Sequence, residues 1–218
     1  VKLDQTTKFT LPARKLLDIC RSLPEDSELA FDIKDEKAHI KSGKSRFTLA
    51  TLPAQEYPVI DIKEETIDFN LSHENLMRLL TNTQFAMAQQ DVRYYLNGLM
   101  LEVSSNSIKA VATDGHRLAF DETDAEISAN ESKQIIVPRK GVTELVRLLQ
   151  ISKNEANIKI SKNHIQVISG NLSFTSKLID GKFPDYQRVI PELSETTILA
   201  DREELKSSLA RVSILSNE

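Results

Sequence analysis

The chain has 218 residues, is 40% hydrophobic and 28% charged, and carries a formal charge of −4. That is enough apolar material to bury a sizeable core in one large domain or two small ones. No run approaches the roughly 18 consecutive apolar residues of a membrane span, and Val1-Lys2-Leu3-Asp4 lacks the apolar core of a signal peptide, so a cytosolic protein with no membrane contact is expected.

In chain order, the first element is a helix that opens at Pro12. Its apolar positions Leu16, Ile19, Cys20 and Leu23 recur at i, i+3, i+4 and i+7. Cys20 is the single cysteine, which excludes an internal disulfide, and its place on that face predicts a small buried core residue. Phe31 and Ile33, then Ala38 and Ile40, alternate as a hairpin does. Leu76, Leu80 and Thr83 mark a second amphipathic helix. Leu99, Leu101 and Val103, a turn at Ser104–Ser107, then Ile108, Ala110 and Ala112 predict another hairpin. A third helix opens at Pro138, and Ile158, Ile160, a turn at Ser161–His164, Ile165 and Val167 predict a third hairpin. Leu205, Leu209 and Val212 begin a last helix.

The chain repeats itself. At an offset of 126, Leu16, Ile19, Cys20 and Leu23 fall on Val142, Leu145, Val146 and Leu149, and both stretches run from Pro12 or Pro138 to Pro58 or Pro184. Ser42-Gly43 with Phe47-Thr48 matches Ser169-Gly170 with Phe174-Thr175 after a one-residue slip. Leu76, Leu80 and Thr83 fall on Leu205, Leu209 and Val212 at an offset of 129. The module is thus 126 to 129 residues, ordered strand, helix, strands, helix, strands, and the fold class is α+β, with two helices per module packed on antiparallel sheets. The expected division is 1–65 as the second half of one module, 66–194 as a complete one and 195–218 as the start of a third. The missing initiating methionine and the end at Ser216-Asn217-Glu218, within an ongoing helical pattern, predict truncation at both ends.

Charge is unevenly placed. Residues 11–22 carry Arg14, Lys15 and Arg21 against Asp18, and residues 138–151 carry Arg139, Lys140 and Arg147 against Glu144, leaving the rest of the chain at −8. If the repeat sets both helices on one surface, that surface attracts phosphates while the remainder repels them. Nothing resembles a base-reading helix, so such contacts would be independent of nucleic-acid sequence. The plain alternative is two solvated helix faces.

Two other readings stand beside this one. Asp114-Gly115-His116-Arg117 permits an enzyme in which Asp114 orients His116 as a general base, yet Asp-Gly after a strand is also a turn signal in which Asp114 satisfies backbone N–H groups. His39, His73, His116 and His164 fall in separate elements without metal-binding spacing, and no phosphate-binding glycine loop is present, so neither metal nor cofactor is expected. A peptide-binding adaptor without a DNA role is the third reading.

Gln90-Asp91-Val92-Arg93-Tyr94-Tyr95-Leu96-Asn97-Gly98, Ala112-Thr113-Asp114-Gly115-His116-Arg117-Leu118-Ala119, Val137-Pro138-Arg139-Lys140-Gly141 and Phe183-Pro184-Asp185-Tyr186 together resemble the bacterial DNA sliding-clamp family, the beta subunit of DNA polymerase III. The resemblance covers essentially the whole chain. It implies a DNA-clamp fold that closes as a ring of two subunits, each of three similar domains with helices lining the hole, and a non-catalytic processivity function on encircled duplex DNA. It implies a partner-peptide pocket from Arg93, Leu96, Thr113, Gly115, His116, Arg117, Leu118, Pro184, Arg188 and Val189, completed by the third domain. The implied occupant is a short glutamine-led peptide ending in apolar residues, supplied by the DNA polymerase III catalytic subunit, the clamp loader, other polymerases and repair proteins. It further implies DNA contacts at Gln90, Tyr94, Tyr95, Arg14, Arg139 and Lys140, and a cytoplasmic, nucleoid-associated location.

Overall fold

A computed structural model describes residues 8–58, 60, 67–128, 132–191 and 196–214. The expected boundaries at 65/66 and 194/195, the first four residues and Ser216–Glu218 lie outside the described residues. The chain divides into two compact units, Val1–Lys63 and Glu64–Glu218.

The first unit holds helix α1 (Ala13–Ser22) and a three-stranded antiparallel sheet of β1 (Ala30–Lys34), β2 (Lys37–Ser42) and β3 (Ser45–Ala50), in that order. Alternation sets Ala38, Ile40 and Leu49 on the buried face. Pro12 occupies the N-cap of α1, where a missing N–H is no loss. The helix forms as its periodicity predicts, but none of its residues is buried. Cys20 is exposed, which corrects the expectation of a core residue. The reason is that periodicity fixes a face and not its cover. No second α-helix lies among the described residues of this unit to pack on the stripe that Leu16, Ile19 and Cys20 share.

The second unit contains β4 (Ile67–Leu71), α2 (His73–Thr83), β5 (Gly98–Val103), β6 (Ser107–Thr113), β7 (Leu118–Asp124), β8 (Lys133–Pro138), α3 (Arg139–Ile151), β9 (Ala156–Ile160), β10 (His164–Ser169), β11 (Leu172–Lys177) and α4 (Arg202–Ser213). From β4 to β11 this is strand, helix, three strands, twice over. The two halves interlock, because each half's first strand joins the other half's sheet: the orders are β7-β6-β5-β8 and β11-β10-β9-β4, antiparallel throughout. Between the sheets and helices lies one core, to which α2 gives Leu76, Leu79 and Leu80 and α3 gives Val142, Leu145, Val146 and Leu149. Each such side chain removed from water stabilises by about 1.5 to 3 kcal/mol. His73 Nε2 lies 2.8 Å from the Leu149 carbonyl and ties the start of α2 to the end of α3.

The hairpins expected at Val103/Ile108, Ile160/Ile165 and Ile33/Ala38 pair in those registers. The matched Ser-Gly pairs are matched turns: Ser42 pairs with Ser45 and Ser169 with Leu172, and Gly43 and Gly170 hold φ of +54° and +57°. The helices at the 129-residue offset also share a start signal, since Ser72 caps α2 by accepting from the Asn75 N–H and Asp201 caps α4 by accepting from the Glu204 N–H. The apolar positions of α4 remain uncovered: Leu205, Leu209 and Val212 are all exposed.

Candidate functional site

On the face of the sheet β7-β6-β5-β8 away from the helices sits a second, smaller apolar cluster of Ala88, Leu96, Met100, Val111, Ile136, Phe183 and Tyr186, with Leu118, Tyr95 and Ile179 against it. Three chain segments converge there: residues 88–97, the β6–β7 turn, and residues 183–189.

The first segment is clasped from within. Asp91 N–H donates to Asn97 Oδ1 at 2.9 Å, and Asn97 Nδ2 returns a bond to the Asp91 carbonyl at 2.8 Å. The Asp91 carboxylate receives Arg93 through its backbone N–H (2.8 Å), Nε (3.0 Å) and Nη2 (2.8 Å). That guanidinium holds the Asp91 carboxyl down to about 2, and the Arg93 backbone N–H adds to the effect. Gln90 turns the chain with φ of +54°.

The β6–β7 turn is equally bound. Thr113 Oγ1 donates to the Arg117 carbonyl (2.7 Å) and accepts from the Gly115 N–H (3.0 Å). Asp114 Oδ1 accepts from the backbone N–H groups of His116 and Arg117, and Oδ2 from Arg117 Nε, each at 3.0 Å. These bonds, the His116 N–H first, hold its carboxyl below the ordinary range. Arg117 Nη2 reaches the Phe85 carbonyl at 2.8 Å, and its guanidinium carbon stands 5.7 Å from the Phe85 ring centroid. Arg93 Nη2 donates to the Asp114 carbonyl at 3.3 Å and so joins this turn to the first segment. Gly115 is required there: its φ is +91°, and a Cβ would stand 3.1 Å from the Arg93 guanidinium.

The turn geometry removes the general-base arrangement. Asp114 binds the main-chain N–H of His116 and the Arg117 side chain, and none of its hydrogen bonds goes to the His116 ring. Among the described residues no group of three or more His, Cys, Asp or Glu side chains could hold a metal ion, and no helix is long and apolar enough to cross a membrane.

Of the ten expected pocket residues, Arg93, Thr113, Gly115 and Arg117 are joined by the contacts above, and Leu96 and Leu118 share the apolar cluster. Leu96 is only 2% exposed, so it is floor rather than wall. His116 is exposed on the turn. Pro184 and Val189 are exposed on the third segment, which Phe183 and Tyr186 anchor, and Arg188 pairs with Asp185 at 2.8 Å. Sequence reasoning missed Asp91, whose two-residue spacing from Arg93 was a readable signal. It also missed the stack of Phe120 on Tyr186 (6.0 Å, 27°), for which no local signal exists.

The expected DNA contacts divide. Arg14 and Lys140 are exposed, whereas Arg139 is half-buried and donates through Nη1 to the Met87 carbonyl at 2.9 Å. Tyr94 is exposed and meets half-buried Tyr95 edge-on at 5.7 Å. The repeat also carries the charges in register: Arg14, Asp18 and Arg21 fall on Lys140, Glu144 and Arg147 at the same 126-residue offset.

The family described as DNA polymerase III beta subunit, central domain, matches residues 70–185, and the N-terminal domain of the same subunit matches residues 1–61. The beta sliding clamp of Pseudomonas aeruginosa is 48% identical over 211 residues, which are 97% of this chain and 58% of that protein. The Escherichia coli K12 clamp is 46% identical over 209 residues, 96% of this chain and 57% of that one. The crystal structure of the P. aeruginosa DNA polymerase III subunit beta matches with a TM-score of 0.91 at 47% identity, covering 100% of this chain and 60% of that chain. The sliding clamp of the same organism bound to griselimycin matches with a TM-score of 0.90, also at 47% identity and the same coverage. The chain thus spans a little under three-fifths of the curated relatives it matches. With the central-domain family covering more than half of its residues, the chain belongs to the DNA polymerase III beta subunit family.

Proposed function

We propose that this chain is part of a processivity clamp, which closes as a two-subunit ring around duplex DNA in the bacterial cytoplasm and tethers polymerases and other partners through a peptide pocket, without catalysing a reaction itself. Residues 1–65, 66–194 and 195–218 are assigned to its first, second and third domains. Tethering turns a brief encounter into an intramolecular one by raising effective concentration, so processivity needs linkage rather than tight DNA binding. Weak phosphate contacts from exposed helix cations suit sliding for the same reason.

The observation that carries the pocket is the convergence of residues 88–97, the β6–β7 turn and residues 183–189 on one small apolar cluster, with Arg93, Arg117, Pro184 and Val189 about it. An apolar seat with a few fixed polar groups suits an extended peptide with apolar anchors. The spent carboxylate of Asp114 supports the absence of catalysis.

The test is an NMR titration of this chain with a short glutamine-led peptide ending in apolar residues, with griselimycin as competitor. Saturable shifts are expected at residues 91–97, 113–118 and 183–190, displaced by griselimycin. Pro184→Ala with Val189→Ala should weaken binding by about 10-fold or more, through loss of contacts worth about 1.4 kcal/mol, without altering the melting temperature. Shifts elsewhere, or none, would sink the pocket. Leu96→Ala is the poorer probe, because that side chain lies in the core.

A further inference from the structure

Where the two sheets of the second unit meet, the edge strand β8 faces the end of the edge strand β11. Ile179, two residues beyond β11, donates its N–H to the Ile136 carbonyl of β8 at 2.9 Å. Along an antiparallel strand, alternate residues direct both main-chain polar groups to the same side. Since Ile136 turns its carbonyl away from β5, Gln134 turns its N–H and carbonyl the same way, into a cavity of about 350 Å³. Lys133, Lys162, Lys177 and Asp180 also line it. Three ammonium groups against one carboxylate make this a positive trough in a chain of net charge −4. Lys133 is half-buried, its Nζ donating to the Ser161 carbonyl at 3.0 Å, while Lys162 and Lys177 stand exposed at the mouth.

We propose that this trough takes an extended acidic peptide from a partner protein, added along β8 by main-chain hydrogen bonds at Gln134, with its carboxylates directed at Lys162 and Lys177. Strand addition supplies affinity through the main chain, and the lysines select charge. A compact phosphate fits less well. Lys133 Nζ is already committed to Ser161, and the cavity lining comes from strand ends, turns and their side chains, with no helix N-terminus among it. The trough shares Ile136 and Ile179 with the apolar cluster beneath the candidate pocket but none of the ten pocket residues, so each reading is tested by its own substitutions.

The test uses fluorescence anisotropy with a fluorescein-labelled octapeptide alternating glutamate and valine. Saturable, salt-sensitive binding is expected. Lys162→Glu with Lys177→Glu, at two exposed positions, should lower affinity by about 10-fold or more, with an unchanged circular dichroism spectrum. The same peptide N-methylated at alternate amides should lose as much. Equal binding by the charge-reversed protein, equal binding of the N-methylated peptide, displacement by pyrophosphate at equal concentration, or no binding would each overturn the proposal.

Discussion

Asp91 and Arg93 show how a two-residue spacing becomes a rigid corner. The carboxylate takes three bonds from one residue, and the same guanidinium then reaches the Asp114 carbonyl, so a single ion pair holds two of the three converging segments. Because the folded carboxyl sits at about 2, below its ordinary value of 3.8, the contact is fully formed above about pH 4 and is lost as pH falls through about 2. A carbon-detected NMR titration should therefore find the Asp91 carboxyl titrating near 2, returning to the ordinary carboxylate range in Arg93→Ala; an ordinary value in the unaltered chain would break the argument. At this scale the sequence was partly readable. Asp-Gly after a strand announced the turn at Asp114, and the turn forms with the N–H groups that the side chain of such a residue satisfies. Leu96 and Arg139 were not readable in the same way. Whether an apolar side chain is wall or floor, and whether an arginine is free or donates to a carbonyl 52 residues away, is set by tertiary contacts that neighbours in sequence do not encode.

Among elements, the informative pair is α1 and α3. They carry the same apolar stripe and the same charge pattern, yet α3 buries Val142, Leu145, Val146 and Leu149 and α1 buries nothing. A helix's period is a local property, whereas its burial needs a partner such as α2, whose leucines meet α3 in the core. The thiol of Cys20 should thus react with a disulfide reagent in native buffer at nearly the rate seen in denaturant, and Cys20→Ser should change stability by no more than about 0.5 kcal/mol. A thiol that reacts only after unfolding would restore the expected core role. The strands add a feature visible only once register is known. Gln134, Glu102, Lys109 and Glu122 are cross-strand partners that form one polar row over β8-β5-β6-β7, with Gln134 Nε2 2.6 Å from Glu102 and Lys109 Nζ 3.7 Å from both glutamates. Asp68, Lys159, Gln166 and Thr175 form the corresponding row across β4-β9-β10-β11. Alternation sets each of these side chains on the face away from the helices; only pairing decides that opposite charges meet.

For the molecule as a whole the question is how an acidic chain could make the proposed DNA contact. Net charge governs long-range repulsion, but within a Debye length of about 8 to 10 Å local pattern dominates. Lys140 and Arg147 are seven residues apart on α3, two turns of one exposed face, and Glu144 is the one charged residue between them in sequence, 3.9 Å from Arg147. Arg14, Asp18 and Arg21 repeat that arrangement on α1. If each cation displaces about one condensed counterion from duplex DNA, the dependence of log affinity on log salt has a slope of about −0.9 per contact. Lys140→Ala with Arg147→Ala should then reduce the slope by about 2, measured by anisotropy of a labelled duplex from low salt upward. Lys162→Ala with Lys177→Ala removes the same formal charge from the trough between the sheets, and is the control that separates pattern from total. A loss confined to the α3 pair would assign the DNA contact to a helix face despite the acidic total. Equal losses from both pairs would mean that DNA responds only to the overall charge, and the repeated basic helices would revert to solvated surface.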